Sequence, residues 1–475
     1  MLVSAGQLAA AAPFDYCIIG SGPAGITLAL ALEASGARIL LVEGGGLVPS
    51  ETSQQLYRGE VIGHAYRPLE RCRIRAFGGS SNGWGGWCRA LDPVDFQAKP
   101  DLPDSGWPIG HADLAPYAAQ ADALLGLRPA EDDAELPGAA LKQSGFRYST
   151  VNFAQAYRER LFASPTIALA VDTSLLTLRT DGAAVTGVEL ESTGVRSVLQ
   201  ARRYILATGG IENSRLLLWS NHLAQGTLIR QPATLGRYWM EHPHFTLGAA
   251  LLRQRAGLRF DEKQIAFVAP TPQLMAQQRL LNCGLRLIRQ SAAETLAGIR
   301  QLGATAPNLA ATLLHELRQG QAYGARLRAS WEQPPRADNR ITLASTTDRL
   351  GIPQPILHWT LDAADKHAPR ETARQLGRHL AAQDLGRLRL DNWLTGAAPF
   401  PDDDEIAGCH HMGGTRMASD AQQGIVDRDC KVFGQRNLYI AGSSVFPSSG
   451  FANPTYTIVQ LALRLAAHLA SSNNA

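Results

Sequence analysis

The chain has 475 residues, a formal net charge of +3, and 45% hydrophobic against 18% charged residues. That apolar content excludes intrinsic disorder for the bulk of the chain, and the length suits several domains or one large interleaved pair. The near-balanced charge argues against a nucleic-acid binder, which needs a concentrated basic patch.

Six cysteines, Cys17, Cys72, Cys88, Cys283, Cys409 and Cys430, form no C-x-x-C pair. Neither a zinc site nor a cysteine-ligated iron–sulfur cluster is therefore expected, no other metal site is indicated, and reduced thiols in a cytoplasmic enzyme are the favoured reading. The Ala run near the N-terminus mimics a weak export signal, but no Lys or Arg precedes it. No apolar run reaches the roughly 18 residues of a spanning helix, so no transmembrane segment is expected.

In chain order, 14–19 reads as a buried strand that runs into Gly20-Ser21-Gly22-Pro23-Ala24-Gly25, an Ala/Leu-rich helix to about Ser35, and a second apolar strand over 38–42 that ends at Glu43. This strand–turn–helix–strand unit is what a dinucleotide fingerprint requires. Gly20 allows the tight turn, Gly22 lets a pyrophosphate approach the backbone, and Gly25 lets helix and strand pack closely. The helix N-terminus offers free N–H groups to phosphate, and Glu43 lies at the spacing of the carboxylate that accepts from ribose hydroxyls. The fingerprint alone does not separate NAD from FAD.

The stretch Phe77–Trp87 (FGGSSNGWGGW) is too glycine-rich for helix or strand. It reads as a loop whose backbone comes close to a flat or bulky ligand. Residues 93–147 look irregular, with one helical stretch near 114–127. Short strands are expected over 167–178 and 184–191. Another buried strand, 203–207, runs into Thr208-Gly209-Gly210 and then a helix, again a place for backbone to meet a nucleotide. Between about 246 and 400, alternating segments (266–269, 340–343) predict sheet strands, and amphipathic stretches near 292–302 and 310–317 predict helices with a basic solvated face. No internal repeat stands out.

The densest chemistry lies near the C-terminus. His410 and His411 are adjacent, so in an extended segment they point in opposite directions and only one easily faces a site. A His at a glycine-dense turn suits a general base, because imidazole titrates near neutrality. The acidic run Asp402–Glu405 reads as a solvated loop. A strand over 438–441 leads to Gly442-Ser443-Ser444. Asn453-Pro454 reads as N-cap and first helical residue of a long helix to about Leu469, and such an N-terminus favours negative charge placed before it.

Taken together, GSGPAG…VEGGG, GGSSNGWGG, ATGGIENSR and HHMGGTRM…NLYIAGSSVFPSSGFANPTYTI resemble glucose–methanol–choline (GMC) oxidoreductases, with 332–361 closest to the pyranose-oxidase and glycoside-oxidase branch. The resemblance implies an α/β fold: a doubly wound, Rossmann-like FAD domain interleaved with an α+β substrate domain on a mostly antiparallel sheet. It places FAD-domain segments at 1–92, 165–245 and 405–475, a lid and substrate segment at 93–164, and the substrate domain at 246–404. It implies oxidation of a CH–OH group, of a sugar, glycoside, aminocyclitol or related natural product, by hydride transfer to flavin N5. His410 matches the family's general base and Asn453 its second active-site residue, with His411 secondary. The implied cofactor contacts are Gly20, Gly22, Pro23, Ala24, Gly25, Glu43, Gly78, Gly79, Ser80, Ser81, Asn82, Trp84, Gly85, Gly86, Ala207, Thr208, Gly209, Ser443, Pro454 and Thr455. Gly83 stands where pyranose oxidases carry the His that holds FAD covalently, so FAD is expected to be non-covalent. The electron acceptor is oxygen, a quinone or another carrier. The alternatives are a family member recruited for non-redox lyase or photochemical chemistry, and a flavin-stabilised binding protein.

Overall fold

The computed structural model describes residues 2–3, 14–129, 132–304, 306–403 and 405–471. The N-terminal Ala run, Asp404 and the side chain of Leu302 lie outside them.

The nucleotide-type layer is a five-stranded parallel sheet in the order Leu438–Ile440, Ala201–Leu206, Phe14–Ile19, Ile39–Val42, Ile167–Ala170. Ile39–Val42 is buried at every position, as expected of a parallel strand covered on both faces. The helices Pro23–Glu33 and Thr455–Ser471 pack on each other. The first and last elements of the chain thus share one core, which includes Ile26, Leu28, Val459 and Leu463. The turn between the first strand and its helix works only with glycine. Gly20 has φ +106, and a Cβ there would lie 2.4 Å from the Ala207 carbonyl oxygen; at Gly25 it would lie 1.8 Å from the Gly20 carbonyl oxygen.

The second layer is a seven-stranded antiparallel sheet in the order Gly386–Leu390, His244–Arg253, Ala322–Trp331, Cys283–Arg289, Ile265–Pro270, Leu141–Ser144, Ala134–Glu135. The helix His367–Ala382 packs against it through Ala373, Leu376 and Leu380. A smaller sheet joins Arg340–Thr347 and Pro353–Trp359 to Glu60–Gly63.

The architecture expected from the resemblance is therefore present, and several local readings need correction. The stretch 167–178 is two strands, broken at Asp172 with φ 47. Ile167–Ala170 joins the parallel sheet, and Thr173–Thr180 starts an antiparallel meander with Val185–Ser192 and Val195–Leu199. The region 93–147 is less irregular than its composition suggests, because Leu141–Ser144 enters the large sheet. Helices Ala292–Gly303 and Pro307–Arg318 form and pair through a small cluster of Ile299, Ala310 and Leu313. Among the described residues no helix is long and apolar enough to cross a membrane.

Candidate active site

One continuous cavity of about 610 Å³ runs from the Gly20 turn to the C-terminal histidines. Of the candidate cofactor contacts, its walls include Gly20, Gly22, Pro23, Ala24, Glu43, Gly79, Ser80, Ser81, Trp84, Gly85, Gly86, Ala207, Thr208, Gly209, Ser443, Pro454 and Thr455, and it reaches both His410 and Asn453. Gly25, Gly78 and Asn82 do not line it. Gly25 serves the close packing of helix on turn. Gly78 takes φ +89 beside Ala154. The Asn82 amide donates to the carbonyls of Phe77 and Gly79 at 2.8 and 3.0 Å, and so braces the loop from behind.

The nucleotide end has the form of a phosphate and ribose cradle. A Cβ at Gly22 would meet nothing closer than the Gly79 Cα at 4.0 Å, so the backbone is open to a ligand there. The first helical N–H groups after Pro23 have no intrahelical acceptor, and Pro23 and Ala24 line the same space. Glu43 is already employed: its carboxylate accepts from the Ser21 N–H (3.1 Å), the Ser21 hydroxyl (2.7 Å) and the Gly45 N–H (2.8 Å). It braces the turn, and Oε1, which accepts one of these bonds where Oε2 accepts two, keeps a lone pair for a ribose hydroxyl. The middle of the cavity is held by Asn213, which accepts from the Thr208 N–H and hydroxyl and donates to the Ala441 carbonyl and the Ser444 hydroxyl. That net ties the Thr208 turn to the strand end before Ser443. These features fit a dinucleotide such as FAD.

At the far end a short antiparallel ladder fixes the histidines. Met240 and Met412 exchange backbone hydrogen bonds at 2.8 and 3.0 Å, Gly408 donates to the His242 carbonyl, and His244 donates to the Ile406 carbonyl. His242 and His244 are thereby set beside His410. The two Nδ1 atoms of His242 and His410 lie 2.9 Å apart, and the His244 ring centroid is 5.9 Å from that of His410. With Nδ1 of His410 engaged, Nε2 is the nitrogen left to act in the cavity. Gly408 underlies this ring, and a Cβ there would come within 2.5 Å of His410 Nδ1.

Glu241 holds the ladder from beneath. Fully buried, it accepts the backbone N–H of His242 (2.9 Å) and of His410 (2.8 Å) and the Tyr66 hydroxyl. Burial pushes its carboxyl up to about 7 against those hydrogen bonds. Burial also lowers the imidazoles: His242 and His411 to about 3, His244 to about 4, and His410 well below the usual value, with the neighbouring histidines adding to the effect at His410. At neutral pH the four imidazoles are uncharged, and His410 can accept a proton.

The expectation that only one of the adjacent histidines reaches the site is half right. Both line the cavity, but His411 stacks on Trp239 and hydrogen-bonds the Tyr66 hydroxyl at 3.1 Å. Asn453 is not the helix N-cap. The helix is Thr455–Ser471 and the Pro454 carbonyl accepts its first N–H, from Ile458, so Asn453 sits one residue earlier. Its carboxamide makes no hydrogen bond to the described residues and borders the cavity. In the acidic run Asp402 is exposed, as expected of a solvated loop, but Asp403 and Glu405 are held in ion pairs. Asp403 pairs with Arg328 at 3.0 Å, and Glu405 contacts His244, Arg286 and Arg328. Sequence reading missed Glu241, His242, His244, Tyr66 and Arg286. The segment Glu241-His242-Pro243-His244 heads an alternating strand, and its His-x-His spacing, which puts two rings on one face of an extended chain, is the signal that could have found it.

Residues 335–462 match the family model described as GMC oxidoreductase. The chain is 24% identical to a 2-methyl-1,2-propanediol dehydrogenase of Mycolicibacterium austroafricanum, over 95% of this chain and 94% of that one. It is 25% identical to a 6'''-hydroxyparomomycin C oxidase of Streptomyces lividus, over 97% and 93%. The fold is similar to that of pyridoxine 4-oxidase from Mesorbium loti, with a TM-score of 0.59, 17% identity, and coverage of 96% and 99%. Four sequence motifs meet in one cavity, residues 335–462 match the GMC oxidoreductase model, and two relatives align over nearly the whole chain: the chain is similar to GMC oxidoreductases, a family that depends on FAD.

Proposed function

We propose that the protein oxidises a CH–OH group of a sugar, glycoside, aminocyclitol or related natural product to a carbonyl, with FAD bound in the long cavity. The observation that carries this reading is the continuity of that cavity, from the Gly20–Gly25 turn to His410 and Asn453. The substrates named for relatives, 2-methyl-1,2-propanediol, 6'''-hydroxyparomomycin C and, in Microbacterium trichothecenolyticum, a C-glycoside, support it. FAD supplies the two-electron acceptor for the carbinol hydrogen.

The protein's own share is to hold and orient. Gly20, Gly22, Ala24 and Glu43 take the pyrophosphate and ribose. The Gly79–Gly86 loop, Thr208, Gly209 and Ser443 line the middle of the cavity, and Pro454 and Thr455 would offer a helix N-terminus to negative charge on the bound cofactor. His410 Nε2 removes the hydroxyl proton, and Asn453 donates a hydrogen bond to the alkoxide, fixing the near-attack pose. Glu241 and His242 position His410 and touch neither ligand. Gly83 has no side chain to form a bond, which supports non-covalent FAD, with oxygen or a quinone as the eventual acceptor. The FAD part would comprise 1–92, 165–245 and 405–475, the lid segment 93–164, and the substrate part 246–404. Six free cysteines support a reducing, cytoplasmic setting. The test is anaerobic titration of the purified flavoprotein with alcohols, sugars and glycosides. Bleaching of the flavin band is expected, and a flavin that no alcohol bleaches overturns the reading.

A further inference from the structure

The ladder that sets His242 beside His410 leaves one proton to be placed between them. The two Nδ1 atoms are 2.9 Å apart, with the rings at 82° and their centroids at 5.0 Å. Two neutral rings this close share a single proton, so two arrangements exist. In one, His410 Nδ1–H donates to His242, and His410 Nε2 carries the lone pair that a base needs. In the other, His242 Nδ1–H donates, and His410 Nε2 already carries a hydrogen. The choice is made at the far side of the His242 ring. His410 borders the cavity, where ligand or water can meet either form of its Nε2. His242 is wholly buried, and its Nε2 makes no hydrogen bond of good geometry. The backbone of Ser449 and Gly450, close beside it, favours a proton on this ring. With Nδ1 turned to His410, that proton belongs on Nε2. A neutral ring protonated on Nε2 keeps its lone pair on Nδ1, which selects the first arrangement.

The surroundings also decide where an added proton rests. Burial opposes charge on both rings. Beyond burial, a charge on His410 is opposed by His242, His244, His411 and Arg286. On His242 it is opposed by His244 alone and helped by the Ser449 and Gly450 backbone. Positive charge is therefore easier to hold on His242. Glu241 keeps the pair in register, because it accepts the backbone N–H of both residues at 2.9 and 2.8 Å. A lone imidazole held so far below neutrality is a weak base. A charge-assisted N–H···N bond to a second imidazole strengthens it.

We infer that His242 is a positioning residue that serves as a second proton acceptor behind the base: it keeps His410 Nε2 bare, and it takes over the Nδ1 proton of His410 as the alcohol proton arrives at Nε2. The substrate O–H bond breaks and an N–H bond forms at His410 Nε2; the His410 Nδ1–H bond breaks and one forms at His242 Nδ1. One proton has entered the pair, its charge rests on His242, and no electron moves in this step. This rests on the alcohol-oxidation reading above. Two measurements test it. Nitrogen NMR of the resting holoenzyme with isotope-labelled histidine, at neutral pH, should show His410 protonated on Nδ1 and bare on Nε2, and His242 protonated on Nε2. The signals are assigned by their loss in His410→Ala and His242→Phe. A hydrogen on His410 Nε2 overturns the inference. Anaerobic flavin reduction is then compared at saturating substrate. His242→Asn keeps an oxygen that accepts from His410 Nδ1–H but cannot take its proton, and His242→Phe fills the space with neither property. The limiting rate should fall about 10-fold in the Asn variant and about 10²- to 10⁴-fold in the Phe variant, with the apparent dissociation constant of the substrate little changed. An Asn variant at the native rate overturns the proton transfer. Asn and Phe variants slowed equally overturn the tautomer role and leave packing alone. His242→Leu replaces the Phe variant should that one lose FAD. A flavin that no alcohol reduces would instead overturn the alcohol reading, and the NMR result on the native protein would still decide the tautomer.

Discussion

Glu241 offers a sharp test of how the site is held together. In Glu241→Ala three buried donors lose their acceptor: the N–H groups of His242 and His410 and the Tyr66 hydroxyl. At about 1–3 kcal/mol for each orphaned donor the loss is about 6 kcal/mol. Against this, the variant no longer buries an acid whose carboxyl is pushed from 4.5 to about 7, a relief of roughly 3 kcal/mol at neutral pH. The net expectation is a loss of about 3 kcal/mol, together with a slower reductive step as the His410 backbone loosens. Glu241→Gln separates the two terms, since it keeps the shape and an acceptor oxygen but cannot ionise. A carboxyl raised in the folded state costs stability as pH climbs from its unfolded value, and the cost stops growing above its folded value. The stability of Glu241→Gln relative to the unsubstituted protein should therefore rise between pH 4.5 and about 7, by up to roughly 3 kcal/mol, and stay level beyond. Chemical denaturation of both proteins across that range measures it. A pH-independent difference, or an Ala variant of full stability and full activity, would refute the reasoning.

Three further outcomes are expected. Burial first, and then the surrounding histidines, hold His410 well below the ordinary imidazole value, so the flavin-reduction rate should be flat through neutrality and fall only in acid; a limb centred at or above pH 6.5 contradicts this. Asn453→Ala should slow reduction at least about 10-fold while leaving thermal unfolding almost unchanged, because its carboxamide bonds to no described residue; a large loss of stability would point to a structural role. Gly25→Ala drives a Cβ into the Gly20 carbonyl and should yield protein without FAD, measured by the ratio of flavin to protein absorbance.

The dinucleotide unit was legible in the sequence because its signals are local. Buried strands, glycines at fixed offsets and Glu43 all fall within about 30 residues. The C-terminal motif was legible as a resemblance. The substrate side was not. The strands His244–Arg253, Cys283–Arg289 and Ala322–Trp331 pair across long separations, and Arg286 sits in a run, Cys283-Gly284-Leu285-Arg286, with no periodic mark of a site. Charge patterning misled at Asp403 and Glu405, whose basic partners Arg286 and Arg328 lie more than 70 residues away. The N-cap assignment failed by one residue, because Asn-Pro suits either of two helix starts and only the Ile458 to Pro454 hydrogen bond decides between them.

The central claim is that the His410 imidazole is the base that primes the alcohol. Single-turnover flavin reduction, followed anaerobically at saturating substrate in the native enzyme and in His410→Ala with FAD retained, tests it most directly. The account expects a slowing of roughly 10²- to 10⁴-fold with little change in FAD content. An FAD-loaded variant that reduces its flavin at the native rate would contradict it.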